Sequence, residues 1–391
     1  MSTATDPGRG HDGPEADGDE ARAMLREAAR RFVERDYDFE ARRAALARPD
    51  GFSRERWAAF ADMGWLALGL PEDCGGLGDA TDAQIVAHAL GRANAVEPWL
   101  AHVGLVAPLL GALRAAGGRG AERCSALLSA LGAGRTLLAL AAFEPQGRYD
   151  AFDVRLHAER AGDGWRLDGA KTLVLAGGCA ERLLVVARTA GAARDTDGLS
   201  VFEVPADAAG LARHGLPTYD GRQTADLRLA GVHLPAHALL GPEGGAWAAV
   251  ELAIDQATAF ACAEAVGTME SAIEITRTYL QQRVQFGRPL AANQVLRHRL
   301  VDLWVDCEQA RAVTGHAIAR LGDAPEVRRR AVSIAKAFVS PAARHCGLDG
   351  IQMHGAIGMT DETAIGHAAK RLAALATLFG DAAWHLERIA G

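Results

Sequence analysis

The hydrophobic positions of this chain recur with two different periods, and the change of period divides it into thirds. From Ala21 the apolar residues Met24, Leu25, Ala28 and Phe32 have helical spacing. Trp57, Phe60, Met63 and Leu66 repeat it after Ser53, a residue suited to cap a helix N-terminus. Pro71-Glu-Asp-Cys-Gly-Gly-Leu-Gly78 breaks the pattern with glycines that permit positive φ, and helical spacing returns over 81–131. Near Arg135 the period becomes alternating. Val154, Leu156 and Ala158, the turn Gly162-Asp-Gly164, then Trp165 and Leu167 predict a β-meander, continued at 173–175, 183–187, 199–204 and Ala225, Leu227, Leu229. After Gly241, Pro242, Gly244 and Gly245 the helical period resumes at Leu252, Gln256, Phe260, Ala263 and Gly267, and again at Leu296, Leu300, Leu303, Cys307 and Ala310. Ile334, Phe338 and the stretch 366–389 supply two more helices, with Trp304 and Cys307 on an apolar stripe expected in the core.

The pattern predicts an α+β fold, mainly α. A disordered tail (1–18) precedes an N-terminal α-helical domain (19–135), a middle β-barrel-like domain (136–240) and a C-terminal four-helix bundle (241–391). Two long bundle helices meet at the Gly/Pro turn Arg283-Val-Gln-Phe-Gly-Arg-Pro289. The Gly-spaced run Gln352-Met-His-Gly-Ala-Ile-Gly358 then places polar groups at a bundle end, an arrangement suited to a cofactor.

Composition narrows the chemistry. At 391 residues the chain can bury two or three cores, and a net charge of −7 with both signs interspersed leaves no basic face for nucleic acid. Six cysteines form no CxxC pair and build no metal site, which suits reduced thiols in a cytoplasmic protein. No stretch approaches the roughly 18 apolar residues of a membrane span, and the N-terminus has no apolar signal segment. The expectation is a soluble enzyme acting on small molecules.

Four stretches carry a resemblance: Met63-Gly-Trp-Leu-Ala-Leu-Gly-Leu-Pro-Glu-Asp-Cys-Gly-Gly-Leu-Gly78, Gly164-Trp-Arg-Leu-Asp-Gly-Ala-Lys171, the Arg283–Pro289 turn with Gln294, and the Gln352–Gly358 run. With these in register, the chain resembles the acyl-CoA dehydrogenase family from about residue 21 to 390. Lys370-Arg371, Leu378-Phe-Gly-Asp381 and Glu144-Pro-Gln-Gly-Arg-Tyr-Asp150 look like a subgroup typified by the small subunit of pimeloyl-CoA dehydrogenase. The resemblance implies FAD-dependent α,β-dehydrogenation of an acyl-CoA thioester: a carboxylate takes the α-proton, the flavin takes the β-hydride, and the electrons go on to an acceptor protein. It also implies a flavin lying between the β-domain and the bundle, its adenosine half reaching a neighbouring subunit. Arg283, Phe286, Gln294, Gln352 and Gly355 would hold the pyrophosphate and adenine, and Tyr149 would lie near the flavin phosphates. The residue chemistry agrees, with an Arg for phosphate, an aromatic for the adenine face and amides for its edge.

The chain also departs from the family. The usual base falls at Gly380 and the alternative one at Ala257, and neither can take a proton. The family's Thr-Glu-Pro begins with Phe143, and its Lys-x-Trp-x-Thr reads Lys171, Thr172, Leu173, Val174, Leu175, so donors to the flavin ring become apolar groups. Two readings follow. A homo- or hetero-oligomer is expected, and in one reading the chain belongs to a heteromer in which it completes the flavin site of a larger paralogous partner. In the other, a displaced carboxylate acts as base: Asp255 first, with Glu251 and Asp381 behind it. Asp255 lies two residues from Ala257, about 200° around a helix. A flavin-dependent oxidase or monooxygenase on the same fold is a further alternative. His354 reads as structural rather than catalytic.

Overall fold

The computed structural model describes residues 14–118 and 120–390. Its first helix, α1 (Pro14–Asp36), begins inside the stretch expected as a tail, since proline is tolerated where a helix N–H has no partner in any case. Residues 1–13 of that tail lie outside the described residues. Helices α2 (Phe39–Leu46), α3 (Arg54–Asp62) and α4 (Ala80–Arg92) follow. Each starts on a side chain that accepts otherwise unpaired N–H groups: Asp38 from Ala41 at 2.7 Å, Ser53 from Arg56 at 3.3 Å, and Asp79 in a reciprocal box with Asp82. A π-helical segment, Leu100–Val106, runs into α5 (Ala107–Ala115), and α6 (Ala121–Gly132) closes the helical third. Phe32, Phe60 and Trp65 meet edge-on or tilted at its centre, 5.1–5.7 Å apart.

The alternating stretch builds one sheet from β1 (Leu138–Ala141), β2 (His157–Ala161), β3 (Gly164–Leu175), β4 (Arg182–Arg188), β5 (Leu199–Pro205), β6 (Leu211–Pro217), β7 (Gln223–Leu234) and β8 (Leu239–Leu240). Their order is β6-β7-β3-β2-β4-β5-β8, with β1 parallel to β4. Three features differ from the sequence expectation. The strands anticipated at 165–167 and 173–175 are one strand, β3, whose register against β7 slips twice, so that a single alternation does not run through it. Strand β1 is wholly buried and β6 almost wholly exposed, so neither shows an alternation.

The last third holds α7 (Trp247–Gln282), α8 (Gln294–Ala319), α9 (Pro325–His354), α10 (Ala364–Thr377) and α11 (Ala382–Ala390). The single helix anticipated over 366–389 is split at 378–381, where Phe379 (φ 62°) and Gly380 (φ 118°) leave helical geometry. Trp304 is half exposed rather than core, and with Val301 and Val305 it forms an outward apolar stripe on α8; Cys307, on the inner side, is buried. Helix α7 joins the two helical thirds. A Cβ on Gly91 of α4 would stand 2.1 Å from the Glu264 carbonyl oxygen, and one on Gly267 of α7 would stand 2.1 Å from that of His88. The two backbones therefore touch directly, which only glycine allows. Among the described residues no helix is long and apolar enough to cross a membrane.

Two buried histidines make this packing sensitive to acid. His102 Nε2 accepts the Leu138 N–H at 2.8 Å, joining the π-helical segment to β1, and His385 bonds Ser333 Oγ and the Phe379 carbonyl. Burial pushes His102 down to about 4 and His385 to about 3. An unfolded histidine titrates near 6.5, so the unfolded chain binds more protons below that pH, and the stabilisation present above it is lost as pH falls toward 4. Each group should contribute a slope of about 1.4 kcal/mol per pH unit in that window. Urea midpoints should drop between pH 7 and pH 5; an unchanged midpoint would refute this assignment.

Candidate active site

At the N-terminal end of α7 the carboxylates considered as bases are held by arginines. Asp255 is completely buried, and it accepts from Arg328 Nε at 2.9 Å and Arg388 at 2.7 Å. Glu251, one turn earlier, is paired with Arg329 at 3.1 Å and lies 3.5 Å from Arg388. Asp255 therefore does not present the free carboxylate that a displaced base requires; it neutralises α9 and α11. Ala257 faces another way, toward the π-helical segment: a Cβ on Gly104 would lie 3.7 Å from its Cα. Asp381 is also engaged, accepting the Trp384 N–H at 2.9 Å at the start of α11.

At Gly380, where the resemblance implies the family's usual base, helix α11 occupies the space beside the backbone. A Cβ there would come within 2.6 Å of the Trp384 ring and 2.7 Å of His385 Nε2. The neighbouring positions of the altered motifs carry apolar side chains. Phe143 stands 6.4 Å from Phe379, so an aromatic contact bridges β-domain and bundle. Leu173, at φ 52°, offers no polar side chain. The Glu and Lys of the altered motifs are structural instead. Glu144 accepts from Lys171 at 2.8 Å and from the N–H groups of Arg155 and Leu156 at 2.9 and 3.0 Å; Lys171 also donates to the Ala142 carbonyl. Burial pushes the Lys171 ammonium down to about 8. Although burial also opposes the Glu144 charge, Lys171 and Gln146 hold that carboxyl below its usual range.

Tyr149 belongs to this same end. Its ring lies 6.0 Å from that of Trp384, whose Nε1 donates to Asp150 at 3.1 Å. Tyr149, Trp247, Glu251, Arg329, Trp384 and Arg388 are among the residues lining a cleft of about 480 Å³ between β-domain and bundle. The role of α11 has no family motif to announce it, although Trp384 and His385 directly after Gly380-Asp381 are bulky enough to have hinted at it. The partners of Asp255 were invisible locally, being 73 and 133 residues away.

The other predicted residues gather at the opposite end of α7. Arg283 ends that helix, and β9 (Val284–Gln285) and β10 (Arg288–Pro289) form a hairpin whose turn residues, Phe286 and Gly287, both have positive φ. Phe286 at its tip is 98% exposed, and the Arg283 guanidinium has no ion-pair partner among the described residues. Gln294 opens α8 after a 3₁₀ turn, Leu290–Ala292, that follows the hairpin. Gln352 and Gly355 come alongside because Tyr279 of α7 stacks on His354 at 4.2 Å and donates to its carbonyl at 3.2 Å. His354, bonded to the Gly350 carbonyl at 2.8 Å, does structural work there. Arg283, Phe286, Gln294, Gln352 and Gly355 are thus all exposed toward this end of the bundle. Tyr149 and Trp384 lie beside Trp247 at the far end of this 36-residue helix, about 54 Å long at 1.5 Å per residue.

This arrangement of helices, sheet and bundle is matched along the chain by three sequence families: acyl-CoA dehydrogenase N-terminal domain over 19–114, middle domain over 139–232 and C-terminal domain over 244–391. The chain belongs to the acyl-CoA dehydrogenase family, whose members are FAD-containing oxidoreductases acting on acyl-CoA. Among its relatives, the mitochondrial long-chain specific acyl-CoA dehydrogenase of Sus scrofa is 29% identical over 354 residues, covering 88% of this chain and 80% of that protein. The acryloyl-CoA reductase (NADH) of Anaerotignum propionicum is 28% identical, covering 86% and 84%. Among solved structures, the Tcur3481–Tcur3483 steroid ACAD superposes with a TM-score of 0.83 at 27% identity, covering 95% and 97%. The ChsE4–ChsE5 complex from Mycobacterium tuberculosis superposes at 0.82 with 25% identity, covering 95% and 96%.

Proposed function

We propose that this chain is one subunit of a heteromeric FAD-dependent acyl-CoA dehydrogenase and contributes the adenosine side of a flavin site whose ring contacts and base come from a paralogous partner. The observation that carries this reading is the separation within one chain. The exposed Arg283, Phe286, Gln294, Gln352 and Gly355 are kept at one end of α7, while Gly380 and Ala257 carry no carboxylate and Phe143 no donor at the positions toward its other end. The exposed end fits FAD: Arg283 would pair with pyrophosphate, Phe286 would stack on adenine, and Gln294 and Gln352 would bond its edge. At the other end Phe143 and Phe379 meet, and Trp384 crowds Gly380, where the resemblance implies the base. FAD, when bound at the shared site, supplies the hydride acceptor for oxidation of the thioester.

The subgroup likeness to a pimeloyl-CoA dehydrogenase small subunit points the same way, as does a structural relative solved as a ChsE4–ChsE5 complex. The outward stripe of Val301, Trp304 and Val305 suits burial in an oligomer. Electrons would leave to an acceptor protein, and the free thiols of all six cysteines suit a cytoplasmic setting. The test is to purify the chain alone and co-expressed with a paralogue encoded beside it, then measure flavin absorbance per chain and thioester oxidation. Flavin and turnover should appear only in the co-expressed complex. An Arg283→Ala change in this chain should then weaken flavin retention by about tenfold or more, the worth of one charge-assisted phosphate contact. Full flavin occupancy with turnover in the lone chain would overturn the proposal.

A further inference from the structure

A cleft of about 520 Å³ opens between α1, α4, α7 and α8, and shares no lining residue with the site described above. Its size falls in the range of small-molecule sites, about 300–1,000 Å³. Val33, Ile85, Ala89, Ala263 and Val266 give it an apolar lining, and arginines from three helices give it charge. Arg30 is neutralised by Glu27 and Glu34. The remaining charges do not balance. Glu270 receives Arg92 at 2.6 Å and Arg311, with His88 Nε2 3.0 Å away, while Arg26 has no ion-pair partner among the described residues. Arg311 is also paired with Glu308 at 3.5 Å, so Arg92 and Arg311 face two carboxylates and the excess is one positive charge, carried by Arg26. Burial, and then Arg311 and Arg92, push His88 down to about 4 despite its contact with Glu270, so the imidazole adds no charge of its own at neutral pH. Thr314, also in the lining, is 1% exposed and its hydroxyl has no hydrogen-bond partner. An unpaired guanidinium and an unpaired buried hydroxyl beside an apolar space suit an anion with a hydrocarbon body.

We propose that this cleft binds a small aliphatic carboxylate, its head between Arg26, Arg92 and Arg311 and its hydrocarbon body along Val33, Ile85 and Val266. A guanidinium fork suits a planar carboxylate, and the apolar lining rewards a chain that inorganic anions lack. The site is independent of the flavin reading and holds whether or not the chain needs a partner.

Titration calorimetry with sodium octanoate on the full chain tests it, with octan-1-ol and inorganic phosphate as comparison probes at matched ionic strength. Octanoate should bind saturably, one per chain, and raise the melting temperature. Arg311→Gln and Arg26→Gln should each weaken it by about tenfold or more, as loss of a charge-assisted bond does. Arg26 is on the surface, so its variant stays folded even if Arg311→Gln does not. Octanol binding as tightly as octanoate would show that the arginines are irrelevant and overturn the assignment. Phosphate binding without octanoate binding would overturn the hydrocarbon half of it. Octanoate affinity unchanged in the Arg26 variant and in any folded Arg311 variant would place the binding elsewhere, and absence of saturable binding would end the proposal.

Discussion

An Asp255→Asn variant is expected to lose about 3–5 kcal/mol of stability, the usual cost of removing one member of a buried ion pair. The carboxylate is fully buried and each of its oxygens accepts from a different arginine, Arg328 on α9 and Arg388 on α11. An amide can accept on one side only, so one guanidinium would remain buried against an N–H donor. Glu251 lies 3.7 Å from Arg328 and 3.5 Å from Arg388 and would compensate in part. Urea unfolding of the variant beside the parent chain gives the number. The base reading of Asp255 makes the opposite forecast: native stability with turnover abolished in the assembled enzyme. Finding that pattern would return Asp255 to the catalytic machinery.

Putting the family's base back, as Gly380→Glu, should yield a destabilised protein with no thioester oxidation of its own. The backbone at 380 has φ 118°, which glycine alone adopts without strain, and the first carbon of any side chain would press on Trp384 and His385. Strained backbone costs about 1–3 kcal/mol and overpacking a core commonly about as much again, so a loss of at least 2 kcal/mol is expected. Truncating Trp384 to alanine in the same chain should recover part of that stability without creating activity, since Phe143 and Phe379 still meet where a ring would lie. Melting temperatures and a dye-reduction assay on both variants decide the matter. Near-parental stability combined with dye reduction by the lone Gly380→Glu chain would mean that α11 does not close the base position and that the ring site is intact.

These two forecasts rest on different kinds of information. That residues 257 and 380 carry no carboxylate was plain from the residue types and their spacing to Arg283 and Arg371. The order of helical, alternating and helical thirds was equally plain, because burial on one face writes a period into the chain. The Arg283–Pro289 turn and the Gln352–Gly358 run were legible for a related reason: short-range backbone geometry and side-chain chemistry stay together in a local string. Where the period vanishes, so did legibility. Strand β1 is buried throughout and β6 exposed at all but its first residue, and the α8 stripe bearing Trp304 is apolar yet faces outward, a choice of side that periodicity cannot make.

The identity of a carboxylate as base or as counter-ion was not local at all. Asp255 became a counter-ion because α9 and α11 bring Arg328 and Arg388 onto it, and Gly380 became unfillable because α11 folds back across it. The separation of the polar groups into two ends of one long helix likewise followed only once Tyr149 was seen against Trp384 and His354 against Tyr279. Charge pairing and excluded volume act through space, between residues that chain order holds far apart. The string of residues therefore specified which groups were available and which were missing, and packing specified which of them meet.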